Sequence, residues 1–159
     1  MIILSKLADY GVIVASHLAA DPERQMTAAA LAAEARLPRA TVAKVLKALA
    51  HASVVAGARG AAGGYRLARP ATDISVAEVV AAIDGAIGMT QCAGHDGDIG
   101  DDMMLSCERE SFCPTRPHWR RINLAIGAAL ASVSLAEMAS DRIAAPLRRT
   151  TQFLENVVS

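Results

Sequence analysis

Apolar side chains recur at helical spacing from the start of the chain. Leu4, Leu7, Gly11, Val14 and Leu18 share one face and predict a first helix that stops near Asp21 and Pro22. Thr27 is placed to cap a second helix, AAALAAEARL, which Pro38 breaks. A third follows at once over residues 39–50, with Val42, Val45, Leu46 and Leu49 facing inward. Its opposite face carries Arg39, Thr41, Lys44 and Lys47. Two short helices joined by a tight turn, the second presenting basic and polar side chains, make a helix-turn-helix pattern.

The period then changes. In VVAGARGAAGGYRLARP, residues 54–70, Val54-Val55 and Tyr65-Arg66-Leu67 read as strands, and the four glycines between them permit a tight hairpin with Arg59 at its tip. A hairpin after a helix-turn-helix is the wing of a winged helix, able to place an arginine in the minor groove. No Gly-Lys-Ser/Thr and no G-x-G-x-x-G opening a helix accompanies these glycines, which argues against a phosphate-cradling loop. Ser75 and Glu78 form a capping box for a fourth helix, SVAEVVAAIDG. From Gly85 to Pro117 the periodicity disappears, and five glycines and the acids Asp96, Asp98, Asp101 and Asp102 predict a long loop.

A long helix is expected from about His118 to Ser140, with two apolar seams. One holds Trp119, Ile122, Ile126, Ala129, Val133 and Ala136; the other holds Leu124, Ala128, Ala131, Leu135 and Met138. A helix apolar on two faces has two things to bury against, here its own domain and a symmetry mate. The tail from Asp141 has a short pattern, Leu147, Phe153 and Leu154, that suggests a weakly packed last helix. The expected architecture is mainly α: a winged helix-turn-helix domain over residues 1–84, a cysteine-bearing loop over 85–117, and a dimerisation helix with its tail over 118–159.

Composition sharpens this picture. Apolar residues make up 53% of the chain and aromatics 3%, which suits a helix-rich, closely packed fold rather than a disordered one. The formal net charge of zero hides an asymmetry. Residues 1–70 hold nine Lys and Arg against four acids, a net +5, and the remainder holds seven Arg against twelve acids, a net −5. A basic half that meets a polyanion and an acidic half with another task would explain the division. No run of about 18 apolar residues is present to span a membrane. Lys6 and Asp9 interrupt the opening MIILSKLADYGVIV, so no secretory leader is expected. Three cysteines cannot all pair within one chain, which fits a reducing, cytoplasmic compartment.

All three cysteines fall in the irregular segment, as Cys92, Cys107 and Cys113, spaced C-x14-C-x5-C. Three readings compete for them, with a thiol enzyme as a rival from another class. Buried structural thiols would sit on apolar elements, whereas these flank acids and prolines. A zinc site would need a fourth ligand such as His95 or His118, and lacks the usual C-x2-4-C knuckle. An iron–sulfur site would take three thiolates from a flexible loop, the last followed by proline, as Cys113-Pro114 is here. A thiol enzyme would need a base beside its nucleophile, and Cys113 near His118 is the only candidate pair.

Residues 4–70, LSKLADYGV…TVAKVLKAL…RGAAGGYRLARP, resemble the Rrf2 family of bacterial winged-helix transcription regulators, which includes IscR-, NsrR- and RirA-like members. The markers are Ala-Asp-Tyr in the first helix and Arg-Gly-x-x-Gly-Gly-Tyr in the wing. The stretch CERESFCPTRPHWRRINLAIGAALASVSLAEMA is similar to members that regulate the SUF cluster-assembly genes. The resemblance implies a regulator rather than an enzyme: a homodimer crossed through the long helix, bound to a double-stranded operator, with an iron–sulfur cluster on Cys92, Cys107 and Cys113. The cluster is a two-iron or a four-iron one. Asp9 matches the place where some relatives use a carboxylate from the partner subunit as fourth ligand, and His118 is the second candidate. The histidine that IscR-type members carry three residues after the last cysteine is Arg116 here, and fourteen residues separate Cys92 from Cys107 where members often show five to seven. On this reading Arg39, Thr41 and Lys44 meet base edges, Arg59 enters the minor groove, and Lys47, Ser5 and Tyr65 meet phosphates. Ala43 stands where IscR-type members have a base-reading glutamate. The competing reading of the same fold is a cluster-free or zinc-binding thiol sensor, with Cys107 and Cys113 as a reversible disulfide.

Overall fold

The computed structural model describes residues 4–58, 60, 63–88 and 113–144. Cys92, Cys107, Arg59 and the tail pattern from Leu147 lie outside them. The described order is α1 (Lys6–Ala20), α2 (Ala28–Ala35), α3 (Arg39–His51), β1 (Val55–Ala58), β2 (Gly64–Leu67), a 3-10 turn (Ala71–Asp73), α4 (Val76–Asp84), α5 (Arg116–Ala131) and α6 (Leu135–Ala144).

The three N-terminal helices start and stop for identifiable reasons. Ser5 caps α1, its hydroxyl accepting the Ala8 N–H at 3.0 Å, and Thr27 caps α2 by accepting from Ala30 at 3.1 Å. Helix α2 ends at Ala35, earlier than Pro38 alone requires. Arg36 turns left-handed (φ 55°, ψ 40°), and Leu37 N–H bonds back to the Ala32 carbonyl at 3.0 Å. That closure sets the turn of the helix-turn-helix. Helix α3 is then held by Val42, Val45, Leu46 and Leu49, all fully buried. Each such side chain contributes about 1.5–3 kcal/mol relative to exposure, enough to hold one face of α3 inward and leave the other in water.

The hairpin is antiparallel, with Val55 opposite Leu67 and Ala58 opposite Gly64. Met26 adds a third backbone segment: Tyr65 N–H donates to its carbonyl at 2.8 Å, and Met26 N–H to the Tyr65 carbonyl at 3.0 Å. Gly64 is required at this crossing, because a Cβ there would stand 2.9 Å from the Met26 carbonyl carbon and oxygen. Helices α1 and α4 also approach closely at a glycine. A Cβ on Gly11 would lie 2.0 Å from Ile83 Cδ1.

The long helix expected over 118–140 is two helices. Helix α5 stops at Ala131 and α6 begins at Leu135. Between them Ser134 and Glu137 form a second capping box: the Glu137 carboxylate accepts from Ser134 N–H at 2.7 Å, and Glu137 N–H donates to Ser134 Oγ at 3.3 Å. The break is anchored to the start of α4. Val76 N–H donates to the Val133 carbonyl and Leu135 N–H to the Ile74 carbonyl, each at 2.9 Å. This pairing sets Ser75 opposite Ser134, so two helices begin side by side with the same Ser-x-x-Glu device. The seams divide accordingly. Leu135 and Ala139 of α6 join the core against α1, whereas Ile122 and Leu124 of α5 remain 42% and 64% exposed. Asn123 is the one buried residue of α5.

Both box carboxylates are more acidic than an ordinary glutamate. Partial burial pushes Glu78 up, but the Arg69 guanidinium and the Ser75 amide and hydroxyl outweigh it and hold its pKa down. The Ser134 amide and hydroxyl lower that of Glu137. A carboxylate whose folded pKa lies below its unfolded value stabilises the fold above that unfolded value. The contribution is lost as pH falls through the folded one. Unfolding midpoints in urea should therefore drop as pH falls below about 4.5, and the drop should shrink in both Glu78→Gln and Glu137→Gln; an unaltered pH profile would remove the two carboxylates from the stability of the junction.

Candidate nucleic-acid interface and cysteine segment

The exposed face of α3 is built by its buried one. With Val42, Val45, Leu46 and Leu49 in the core, Arg39, Lys44 and Lys47 project into water, and Thr41 is half-buried at the edge of the core face. No acidic side chain lies within α3. The wing extends from the same body. Gly60 adopts φ 113° and its carbonyl accepts from Gly63 N–H at 2.9 Å, a turn that a side chain at Gly60 would strain. Tyr65 is half-buried in β2, and its ring covers Gly57, where a Cβ would stand 3.3 Å from the ring edge. Arg66, its neighbour on β2, is exposed.

Ser5 has partners of its own. Its hydroxyl donates to Asp84 Oδ1 at 2.7 Å while accepting from Ala8, tying the start of α1 to the end of α4. A phosphate at Ser5 would have to displace a carboxylate. Sequence reasoning missed Asp84, because the two residues stand 79 positions apart and only the α1–α4 packing joins them. It missed the Ser134 box as well, although the Ser-x-x-Glu signal is present, because the apolar seams run through it.

Of the proposed cluster ligands, Cys113, His118 and Asp9 are described. Cys113 is half-buried just before α5, with Sγ 3.3 Å from Thr115 Oγ1. That hydrogen bond, the Thr115 and Arg116 amides and the Arg116 charge together lower its thiol pKa. The donor set thus suits a thiolate ligand, since the thiolate is the form that binds metal. His118 is exposed in the first turn of α5, and Asp9 is exposed in the first turn of α1. Among the described residues no three His, Cys, Asp or Glu side chains come together as a metal-holding group. Arg116, Arg120 and Arg121 line a shallow recess with Pro117 and Leu124, giving the start of α5 a basic surface.

Over residues 4–141 the sequence matches the family Rrf2, described as an iron-dependent transcriptional regulator. It is similar to the HTH-type transcriptional regulator IscR of Vibrio atlanticus (strain LGP32), 34% identical over 93 residues, 58% of this chain and 49% of that protein. With IscR of Vibrio vulnificus (strain YJ016) it shares 37% over 93 residues, 58% of this chain and 50% of that one. The chain thus spans about half the length of the curated relatives it matches. Among solved structures, IscR of T. potens superposes with a TM-score of 0.65 at 25% identity, covering 92% of this chain and 93% of that one. CymR, the global cysteine regulator of B. subtilis, shares the fold with a TM-score of 0.65 at 24% identity, covering 88% and 98%. No described helix is long and apolar enough to cross a membrane.

The geometry of Ser5 gives a prediction. Ser5→Ala should lower folding stability by about 1 kcal/mol, the usual worth of an N-cap, read from chemical denaturation. Unchanged stability would mean that the hydroxyl does not hold α1 and that a phosphate contact is its better explanation.

Proposed function

The chain belongs to the Rrf2 family of transcriptional regulators, and we propose that it binds duplex operator DNA as a homodimer whose affinity is set by an iron–sulfur cluster. The observation that carries the DNA-binding part is the surface of α3, a helix locked by four buried apolar residues that turns Arg39, Lys44 and Lys47 to solvent. Arg39, Thr41 and Lys44 would meet base edges, and Arg59 the minor groove. Lys47 and Tyr65 would meet phosphates, with Ser5 a phosphate contact only where Asp84 gives way. Base contacts carry sequence information, and phosphate contacts carry affinity and salt dependence.

The dimer would form through α5. Ile122 and Leu124, one from each seam, stand exposed on different sides of a helix that, among the described elements, rests on α4. In this division residues 1–84 form the DNA-binding unit, 85–117 the cluster loop, and 118–159 the dimerisation segment, of which α6 returns to the core. Cys92, Cys107 and Cys113 would hold the cluster, with Asp9 of the partner subunit or His118 as the fourth ligand. The lowered pKa of Cys113 supports a thiolate donor there. When bound, the cluster would tie the loop and α5 to the DNA-binding unit, and its loss would shift the population of DNA-competent dimers. The proposed targets are genes of SUF cluster assembly, in a cytoplasmic protein. The same acidic thiol also supports a second reading, a cluster-free or zinc-bound thiol sensor of this fold.

An absorption spectrum after purification without air separates the two. Visible bands with bound iron are expected, and Cys→Ala at position 92, 107 or 113 should remove them, while Asp9→Ala leaves a coloured but altered cluster. A colourless protein containing zinc would establish the second reading instead. On the DNA side, Lys47→Ala should weaken binding to all duplexes alike and lower the slope of log K against log salt by about one. Arg59→Ala should weaken the specific site preferentially; equal loss on specific and random duplexes would remove Arg59 from readout.

A further inference from the structure

The N-terminal part of the exposed face of α3 is apolar at its centre. At about 100° per residue, Ala43, Lys47 and Ala40 lie roughly 40°, 80° and 100° round the helix from Arg39, and Lys44 about 140°. The core residues occupy the other side. Both Ala40 and Ala43 are exposed, so the middle of the N-terminal part of this face holds two methyl groups flanked by two cations. Lys47 continues the arc one turn further on.

We infer that Ala40 and Ala43 read thymine. They form an apolar window against which the 5-methyl groups of thymines on neighbouring base pairs pack, with guanine on either side for Arg39 and Lys44. The inference rests on the DNA-binding reading above. In the major groove thymine presents a methyl group, whereas cytosine and adenine present amino donors and guanine two acceptors. Alanine offers neither donor nor acceptor. A donor or acceptor edge pressed against it loses water without gaining a partner, which is penalised. A methyl group loses no hydrogen bond and gains contact. Their small size also lets the α3 backbone approach the groove floor, so longer neighbours reach outward to guanine O6 and N7. The spacing agrees: residues three apart on a helix are separated by about 4.5 Å along its axis, close to the ~3.4 Å step between base pairs.

The test uses the full chain, purified without air, both as isolated and after iron removal. A bound site is first selected from random duplexes. Each thymine of the selected half-site is then replaced singly by deoxyuridine, which removes only the methyl group. The expected result is a half-site with neighbouring thymines next to guanine. Deoxyuridine should raise Kd about fourfold at each of two positions, the effect of one buried methyl-sized group. Ala43→Gly should abolish the sensitivity at one of the two positions and leave the other. If a defined site is selected but no deoxyuridine duplex binds more weakly to the unaltered protein, the inference fails while the DNA-binding reading stands. If neither form of the protein selects a site or binds any duplex in a salt-dependent way, the DNA-binding reading itself fails.

Discussion

Two backbone hydrogen bonds at 2.9 Å, Val76 N–H to the Val133 carbonyl and Leu135 N–H to the Ile74 carbonyl, decide how the second half of the chain relates to the first. They form at the starts of α4 and α6, where helix amides have no intrahelical partner and must find one elsewhere. Each start meets that need twice, through its own Ser-x-x-Glu box and through the other strand of the bridge. The pairing interrupts what would otherwise be one continuous helix. It turns α6 back onto α1, where Leu135 and Ala139 are buried, and leaves Ile122 and Leu124 of α5 uncovered while Leu130 packs against the core.

The bridge also lies on the route from α5 to the wing. Arg69, two residues beyond the end of β2, donates to the Asp73 carbonyl at 3.1 Å and to the Glu78 carboxylate of the first box. A displacement of α5 therefore meets, in order, the Ser75–Ser134 pair, the Glu78 carboxylate, Arg69 and the hairpin. At the other end of α4, Asp84 holds Ser5 and so the start of α1. Helix α4 is thus fixed at its start to the turn between α5 and α6 and at its end to α1, which packs against α3. The links are hydrogen bonds between exposed or part-buried groups, each of modest net strength.

The division of charge fits the same anatomy. The basic N-terminal half exposes Arg39, Lys44 and Lys47 on α3 and Arg66 on β2. The arginines near Cys113 form a separate basic surface at the start of α5. There the Thr115 hydrogen bond and amide, with the Arg116 amide and charge, lower the Cys113 thiol pKa.

Much of this was legible in the residues. The core positions of α1 and α3, the Thr27 cap, the hairpin and the Ser75–Glu78 box all follow from local periods and caps, which depend on neighbours three or four positions apart. The exposed basic face of α3 follows from the same count, since knowing which residues are buried fixes which are not. Three things did not follow. The left-handed Arg36 ends α2 before Pro38, because closing its last carbonyls against Leu37 outweighs the strain of a non-glycine residue there. Ser5 is engaged by Asp84, a partner no local pattern announces. The helix break at Ser132–Ser134 overrides apolar seams that run through it unbroken. A stripe of apolar residues says that a helix has something to bury, but not whether one straight helix or two bent ones will bury it. That was decided by the edge of α4, whose backbone groups at Ile74 and Val76 lie 61 and 57 residues before their partners Leu135 and Val133 and meet them only once α1, α4 and α6 have come together.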